Sequence, residues 1–139
     1  MTDRFLVDSN ILVYAFDSSE KEKFEKAKKF LKESMGNGNA FLSAQNLAEF
    51  HVNITKGKNG IRKKTSIEIT EALSEQFNIV NYNEKTVVKA IETEDEHKSH
   101  FWDSLLAATM QENGIRTIYT ENTRDFKKIP WIKAINPVI

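Results

Sequence analysis

The chain has no cysteine among its 139 residues, which excludes disulfides and thiolate metal sites alike. It has no surplus of either charge: 20 lysines and arginines balance 20 aspartates and glutamates. Its global field does not draw it toward polyanions. That disfavours a tight, sequence-independent nucleic-acid binder, whose affinity would rest on many phosphate contacts. A nuclease that meets phosphate through bound metal ions is untouched by the argument. No apolar run approaches the roughly 20 residues of a membrane span. The N-terminus enters a strand pattern without the basic start and apolar stretch of a signal peptide, so a cytoplasmic location is expected. No repeat, low-complexity tract or linker interrupts the chain, and its length suits one domain over residues 1–139.

What is present is an ordinary folded composition, 40% hydrophobic and 29% charged, which argues against disorder. The organising stretch is Phe5-Leu6-Val7-Asp8-Ser9-Asn10. A short apolar run stopped by polar residues suits a buried parallel strand. Ser9 or Asn10 is placed to cap the helix expected over Ile11–Phe16. A longer helix follows to about Met35, with Phe24, Ala27, Phe30 and Leu31 on one face, and Gly36-Asn37-Gly38-Asn39 stops it. Strands are expected at Ala40–Ser43, Ile79–Tyr82, Arg116–Thr120 and Ile132–Ile135. The helix from Ala44 carries Leu47, Phe50 and Ile54, and the next carries Ile69, Leu73 and Phe77. Another runs from about Asn83 to Glu94 with Val87, Val88 and Ile91 facing inward. An apolar helix from His100 ends at Asn113-Gly114, a favourable C-terminal cap. Strands separated by helices imply parallel pairing with right-handed crossovers. The expected fold is a three-layer α/β/α sandwich around a parallel sheet of four to five strands.

In such a sheet, ligands gather at the carboxyl ends of the strands. Asp8 follows the first strand, Glu49 lies early in the helix after the second, and Asp103 lies in a helix's first turn. Glu121, Asn122 and Asp125 follow the strand ending at Thr120. Each acid has a plain explanation of its own, because the helix dipole favours a first-turn carboxylate by about 0.3–1 kcal/mol. Their joint placement is what carries weight. Carboxylates and waters are the preferred ligands of magnesium and manganese, and such ions stabilise attacking and leaving oxygens in phosphoryl displacement.

Four segments in order, Phe5-Leu6-Val7-Asp8-Ser9-Asn10, Asn46-Leu47-Ala48-Glu49-Phe50, Phe101-Trp102-Asp103-Ser104-Leu105-Leu106-Ala107-Ala108 and Tyr119-Thr120-Glu121-Asn122-Thr123-Arg124-Asp125-Phe126, resemble the PIN domain. In particular they are similar to the VapC-type toxins of toxin–antitoxin modules. The resemblance covers essentially the whole chain. It implies a Mg²⁺- or Mn²⁺-dependent ribonuclease, with Asp8, Glu49 and Asp103 in the three core acidic positions. Asp125 matches an acid that precedes phenylalanine in many members. Asn122 stands where others have aspartate, Glu121 is the neighbouring alternative, and Asn10 and Thr120 match supporting polar positions. The implied chemistry is attack by a metal-activated water, leaving a 5′-phosphate and a 3′-hydroxyl. The resemblance also implies a VapB-like antitoxin partner and a homodimer.

Arg124 is the substrate-contact candidate, and Arg116, Lys127 and Lys128 are expected near the same edge. Lys56, Lys58, Arg62, Lys63 and Lys64 form the densest basic cluster, for which a solvated loop is the plainer account. His51, His97 and His100 form no recognised zinc pattern, and Phe101 and Trp102 read as core. Two other functions compete with the nuclease. One is a catalytically quiet PIN-like module binding RNA or a partner. The other is a phosphatase of the haloacid dehalogenase type, whose usual Asp-x-Asp is Asp8-Ser9-Asn10 here.

Overall fold

The computed structural model describes residues 3–139, so the first two residues of the expected domain lie outside the described ones. Twelve elements follow the chain: β1 (Phe5–Val7), α1 (Ser9–Phe16), α2 (Lys21–Ser34), β2 (Ala40–Ser43), α3 (Ala44–Ile54), α4 (Lys63–Gln76), β3 (Asn78–Val80), α5 (Glu84–His97), α6 (Phe101–Glu112), β4 (Thr117–Tyr119), α7 (Thr123–Phe126) and β5 (Lys133–Ile135). The five strands form one sheet in the order β3-β2-β1-β4-β5, and every pairing is parallel.

Successive side chains of a strand point to opposite faces, and β1 divides its three residues accordingly. Phe5 and Val7 join a core with Ile11 and Leu12 of α1, Ala27 and Leu31 of α2, Phe50 of α3 and Leu73 of α4. Leu6 joins the other core with Leu106, Ala107 and Met110 of α6 and Phe126 of α7. A strand buried on both faces must be apolar throughout, and all three β1 side chains are at most 1% exposed. The expected three-layer sandwich is thus observed, with all of its strands.

Differences lie at the boundaries and on one helix face. Asp8 itself is the N-cap of α1, its side chain accepting from the Ser9 backbone N–H, so the helix begins at Ser9 rather than Ile11. Helix α5 takes in Asp95–His97, which were expected to be loop, and ends at Lys98 in the left-handed region. Its buried face is Thr86, Ala90 and Thr93. Val88 and Ile91, expected inward, are 59% and 51% exposed. The packing explains it: Ala90 meets Leu105 and Ala108 of α6, and small residues let the two helix backbones approach closely. Trp102, read as core, is 52% exposed at the start of α6.

The order of strands matters for function. From β1 the chain builds outward through β2 and β3, then returns to place β4 on the other side of β1. The reversal falls between β1 and β4, and the carboxyl ends of strands at such a switch point are the usual ligand position in open parallel sheets. Asp8 follows β1 and Thr120 follows β4, so both stand at that switch point.

Candidate active site

Asp8 is 8% exposed and held by three donors. Its Oδ1 accepts from the Ser9 backbone N–H at 2.8 Å and from Asn46 Nδ2 at 3.3 Å. Its Oδ2 accepts from Thr120 Oγ1 at 2.8 Å. Burial pushes its pKa up, and the hydrogen bonds from Thr120 and Ser9 oppose that rise. Asn46 is placed by the start of α3, where Ser43 Oγ accepts from the Asn46 N–H and Asn46 Oδ1 accepts from the Ser43 N–H. That reciprocal cap turns the Asn46 amide nitrogen toward Asp8.

Glu49 is one turn further along α3 and accepts a long hydrogen bond, 3.4 Å, from Ser9 Oγ. Its pKa is raised, first by burial and then by the charge of Asp8, with a smaller push from Asp103. Asp103, in the first turn of α6, is pushed up to about 6 by burial and by the charges of Asp8 and Asp125, while His100 and Lys128 pull the other way. Asn122 Nδ2 reaches Asp103 Oδ2 at 3.5 Å, a weak contact. Four of the expected acids, Asp8, Glu49, Asp103 and Asp125, therefore share one electrostatic neighbourhood. None of the four makes a salt bridge among the described residues.

Asn10 and Thr120 stand where the sequence places them, beside Asp8. Asn10 Nδ2 donates to Thr120 Oγ1 at 3.3 Å, and the Glu121 N–H donates to Asn10 Oδ1 at 3.3 Å. Glu121 does not join the acid group. Its carboxylate accepts from Tyr14 Oη at 2.7 Å and pairs with Lys23 Nζ at 2.5 Å. Although burial acts to raise it, bonding to Lys23 and Tyr14 leaves its pKa lowered. Glu121, the expected alternative fourth acid, thus stands in an ion pair rather than among the unpaired acids.

Arg124 is exposed on α7, beside Asp125. Arg116 was expected near this edge and is not: it precedes Thr117 and so stands at the amino end of β4. Of the histidines, His51 bonds Ser66 at 2.7 Å and the His97 ring packs on Trp131, so neither belongs to the acid cluster.

The donor set suits a hard divalent cation. It is all oxygen, it is partly desolvated, and its members repel one another, a strain that a dication relieves. As the side chains stand, no three acidic or histidine groups among the described residues are close enough to hold one ion by themselves.

The sequence profile of the PIN domain matches residues 5–132. The chain belongs to the PIN domain family. Among solved structures, a toxin–antitoxin complex from Klebsiella pneumoniae is similar at TM-score 0.69 and 25% identity, covering 95% of this chain and 96% of that one. VapBC2 from Rickettsia felis, bound to a DNA fragment from its promoter, is similar at TM-score 0.70 and 21% identity over 95% and 97% of the two chains. VapC20 from Mycobacterium tuberculosis, a toxin that cleaves the sarcin–ricin loop, gives TM-score 0.69 and 16% identity over 88% and 93%. The latter two likenesses establish the fold. A comparison with curated proteins finds no match.

Around this PIN site, several polar residues were missed by sequence reasoning. Asn46 and Ser9 bond the acids directly. The pattern Ser43-x-x-Asn46 at a strand-to-helix junction was a capping signal that could have found Asn46. Tyr14 and Lys23 lie 107 and 98 residues from Glu121, and no local pattern joins them.

Proposed function

We propose that this PIN protein is a Mg²⁺- or Mn²⁺-dependent endoribonuclease and the toxin of a VapBC-type module. One observation carries the reading. At the switch point between β1 and β4, Asp8 is buried and fixed by three donors, and the charges of Asp8 and Asp125 act on Asp103 without any paired cation. Unpaired buried carboxylates are costly, and perturbed groups of this kind gather at functional sites.

In the proposed site Asp8 and Asp103 hold the ion, with Glu49 contributing directly or through water, the habit of Mg²⁺. The ion, when bound, supplies Lewis acidity at the phosphate and an activated water at neutral pH. The chain does the rest. Thr120, Ser9 and Asn46 fix the direction of Asp8, as hydrogen bonds behind metal ligands do. Asn10 holds Thr120, and Asn122 braces Asp103. Asp125 orients the attacking water, and Arg124 meets a substrate phosphate. Attack by water breaks the bond from phosphorus to the 3′-oxygen and leaves a 5′-phosphate; a proton of that water passes to a carboxylate, and the departing 3′-oxygen takes one up to become a hydroxyl. Residues 1–139 act as one domain in the cytoplasm, as a homodimer inhibited by a VapB-like antitoxin.

The phosphatase alternative lacks its second acid, since Asn10 is committed to Thr120 and the Glu121 N–H. The test is cleavage of a labelled RNA with Mg²⁺ or Mn²⁺ by the wild type, a chelator-treated sample and Asp8→Asn. Cleavage by the wild type alone is expected. Cleavage that survives both Asp8→Asn and Asp103→Asn sinks the assignment, and RNA binding without cleavage in either metal favours the quiet module.

A further inference from the structure

A concavity of about 660 Å³ lies away from the acid edge. It lies at the amino edge of the sheet, and Arg4, Arg116 and Lys133 line it together with Asn39 and Trp131. Strand register gathers these cations. Phe5 of β1 and Lys133 of β5 both pair with Thr117 of β4, so Arg4 and Arg116 each precede that shared row. The Lys133 N–H also donates to the Arg116 carbonyl at 2.8 Å. Arg4 is anchored, donating to the Asn113 carbonyl at 3.0 Å and lying over the Phe41 ring. Neither Arg116 nor Lys133 has an ion-pair partner among the described residues. Asp3 is the one acid on the wall.

The concavity is joined to the acid edge by the chain itself. From α7 the segment 127–132 descends the flank of the sheet to the start of β5. Lys127 and Lys128 are exposed at its upper end, and the charge of Lys128 already reaches Asp103. Cations therefore mark the top and bottom of one flank. From Arg116 to Thr120 the strand climbs four residues, about 13 Å at 3.3 Å each, a span of a few nucleotides. A chain with no net charge has gathered acids at one edge and unpaired bases below them.

We propose that the Arg4–Arg116–Lys133 concavity binds the phosphodiester backbone of single-stranded RNA whose scissile phosphate lies at the Asp8 edge. The inference rests on the ribonuclease reading for its choice of ligand. It assigns the amino-edge cavity as a distal phosphate site, with Lys127 and Lys128 marking the path between. Phosphate contacts of this kind add affinity without reading sequence.

The test uses the full chain in EDTA and a fluorescent 16-nucleotide single-stranded RNA, with anisotropy read against salt. Arg116→Glu/Lys133→Glu is expected to raise Kd at least tenfold. The slope of log affinity on log salt should fall by about 1.4, or about 0.7 for each lost phosphate contact. Both side chains are exposed, so the melting temperature should hold. The control pair Lys56→Glu/Lys58→Glu, in the other basic cluster, should leave Kd unchanged. With metal restored, cleavage of a dinucleotide, whose one phosphate is the scissile one and which leaves none for the cavity, should be unaffected by the double reversal. An unchanged Kd and slope overturn the proposal, as does an equal loss in the control pair or a wild type that binds no RNA. Failure of the ribonuclease reading looks different: the wild type binds in EDTA as described yet cleaves nothing with either metal.

Discussion

Glu121 and Asp103 are acids on the same edge of the same sheet, and their surroundings have driven them apart. Glu121 is met by Lys23 and Tyr14 and held ionised, its pKa lowered. Asp103 is buried among other acids, and burial first, then the charge of Asp8, pushes it up to about 6. One carboxylate ties α1 and α2 to the loop after β4, and the other has no salt-bridge partner among the described residues, feeling His100 and Lys128 only as neighbouring charges. Chemical type and position along the chain do not separate the two roles. The partner does, because an ion pair answers a charge internally, whereas an unanswered charge is available to a ligand.

The strongest way to break the contrast is to remove charge from the unpaired group. Asp8→Asn should lower RNA cleavage by about a thousandfold or more, since metal chemistry supplies several kcal/mol of barrier and each 1.36 kcal/mol is tenfold. Single-turnover cleavage in Mn²⁺ reads it, and a loss under tenfold would place the chemistry elsewhere. Next comes Thr120→Val, which leaves Asp8 Oδ2 without its donor. We expect Mn²⁺ affinity and cleavage to fall about 10–100-fold, the usual cost of losing a hydrogen bond behind a metal ligand. Thr120→Ser should restore most of the loss, and equal damage from both variants would show that packing, not the hydroxyl, matters.

Titration sharpens the comparison further. Asp103 in the folded chain has its pKa near 6 rather than the ordinary 3.8, so between about pH 4 and 6 the native state binds more protons than the unfolded one. Stability of the metal-free protein should fall as pH rises through that window and remain lower above it. Glu121 works in the opposite sense. Its depressed pKa contributes stability that is present above the ordinary carboxylate range and lost as pH falls through the lowered value. Denaturant melts at pH 4, 5, 6 and 7 should therefore be flatter for Asp103→Asn than for the wild type. An unchanged profile in that variant would remove Asp103 as the source. The smallest effect belongs to Glu121→Gln. It should cut cleavage less than tenfold and leave Mn²⁺ affinity by calorimetry near wild type, because a half-exposed ion pair contributes little. Loss of Mn²⁺ binding there would return Glu121 to the acid cluster.

The sequence made the sheet readable because a strand buried on both faces must be a continuous apolar run, and Phe5–Val7 and residues 40–42 are such runs. Asp8, Glu49 and Asp103 were visible as acids just past strand ends or in a helix's first turn. Helix α5 misled for a physical reason: Val88 and Ile91 are its larger apolar residues, yet Ala90 and Thr93 do the packing, since close helix approach rewards small side chains. Glu121 was ambiguous because its fate depends on Lys23, almost a hundred residues earlier, which no local period reveals. Arg116 was assigned to the active edge because it neighbours a strand that ends there, although it stands at that strand's other end.

Thr120 gives the site a direction. A hydroxyl has one proton and two lone pairs, and both lone pairs here are engaged, by Asn10 Nδ2 and by the Asn122 backbone N–H. Its proton has a single destination, Asp8 Oδ2. On the other oxygen Ser9 and Asn46 also give and do not take. A proton arriving on Asp8 would find these three neighbours already donating to it. The carboxyl is thus held in tension: burial, the larger influence, urges it toward neutrality, and the polarity of its hydrogen bonds urges it back toward charge.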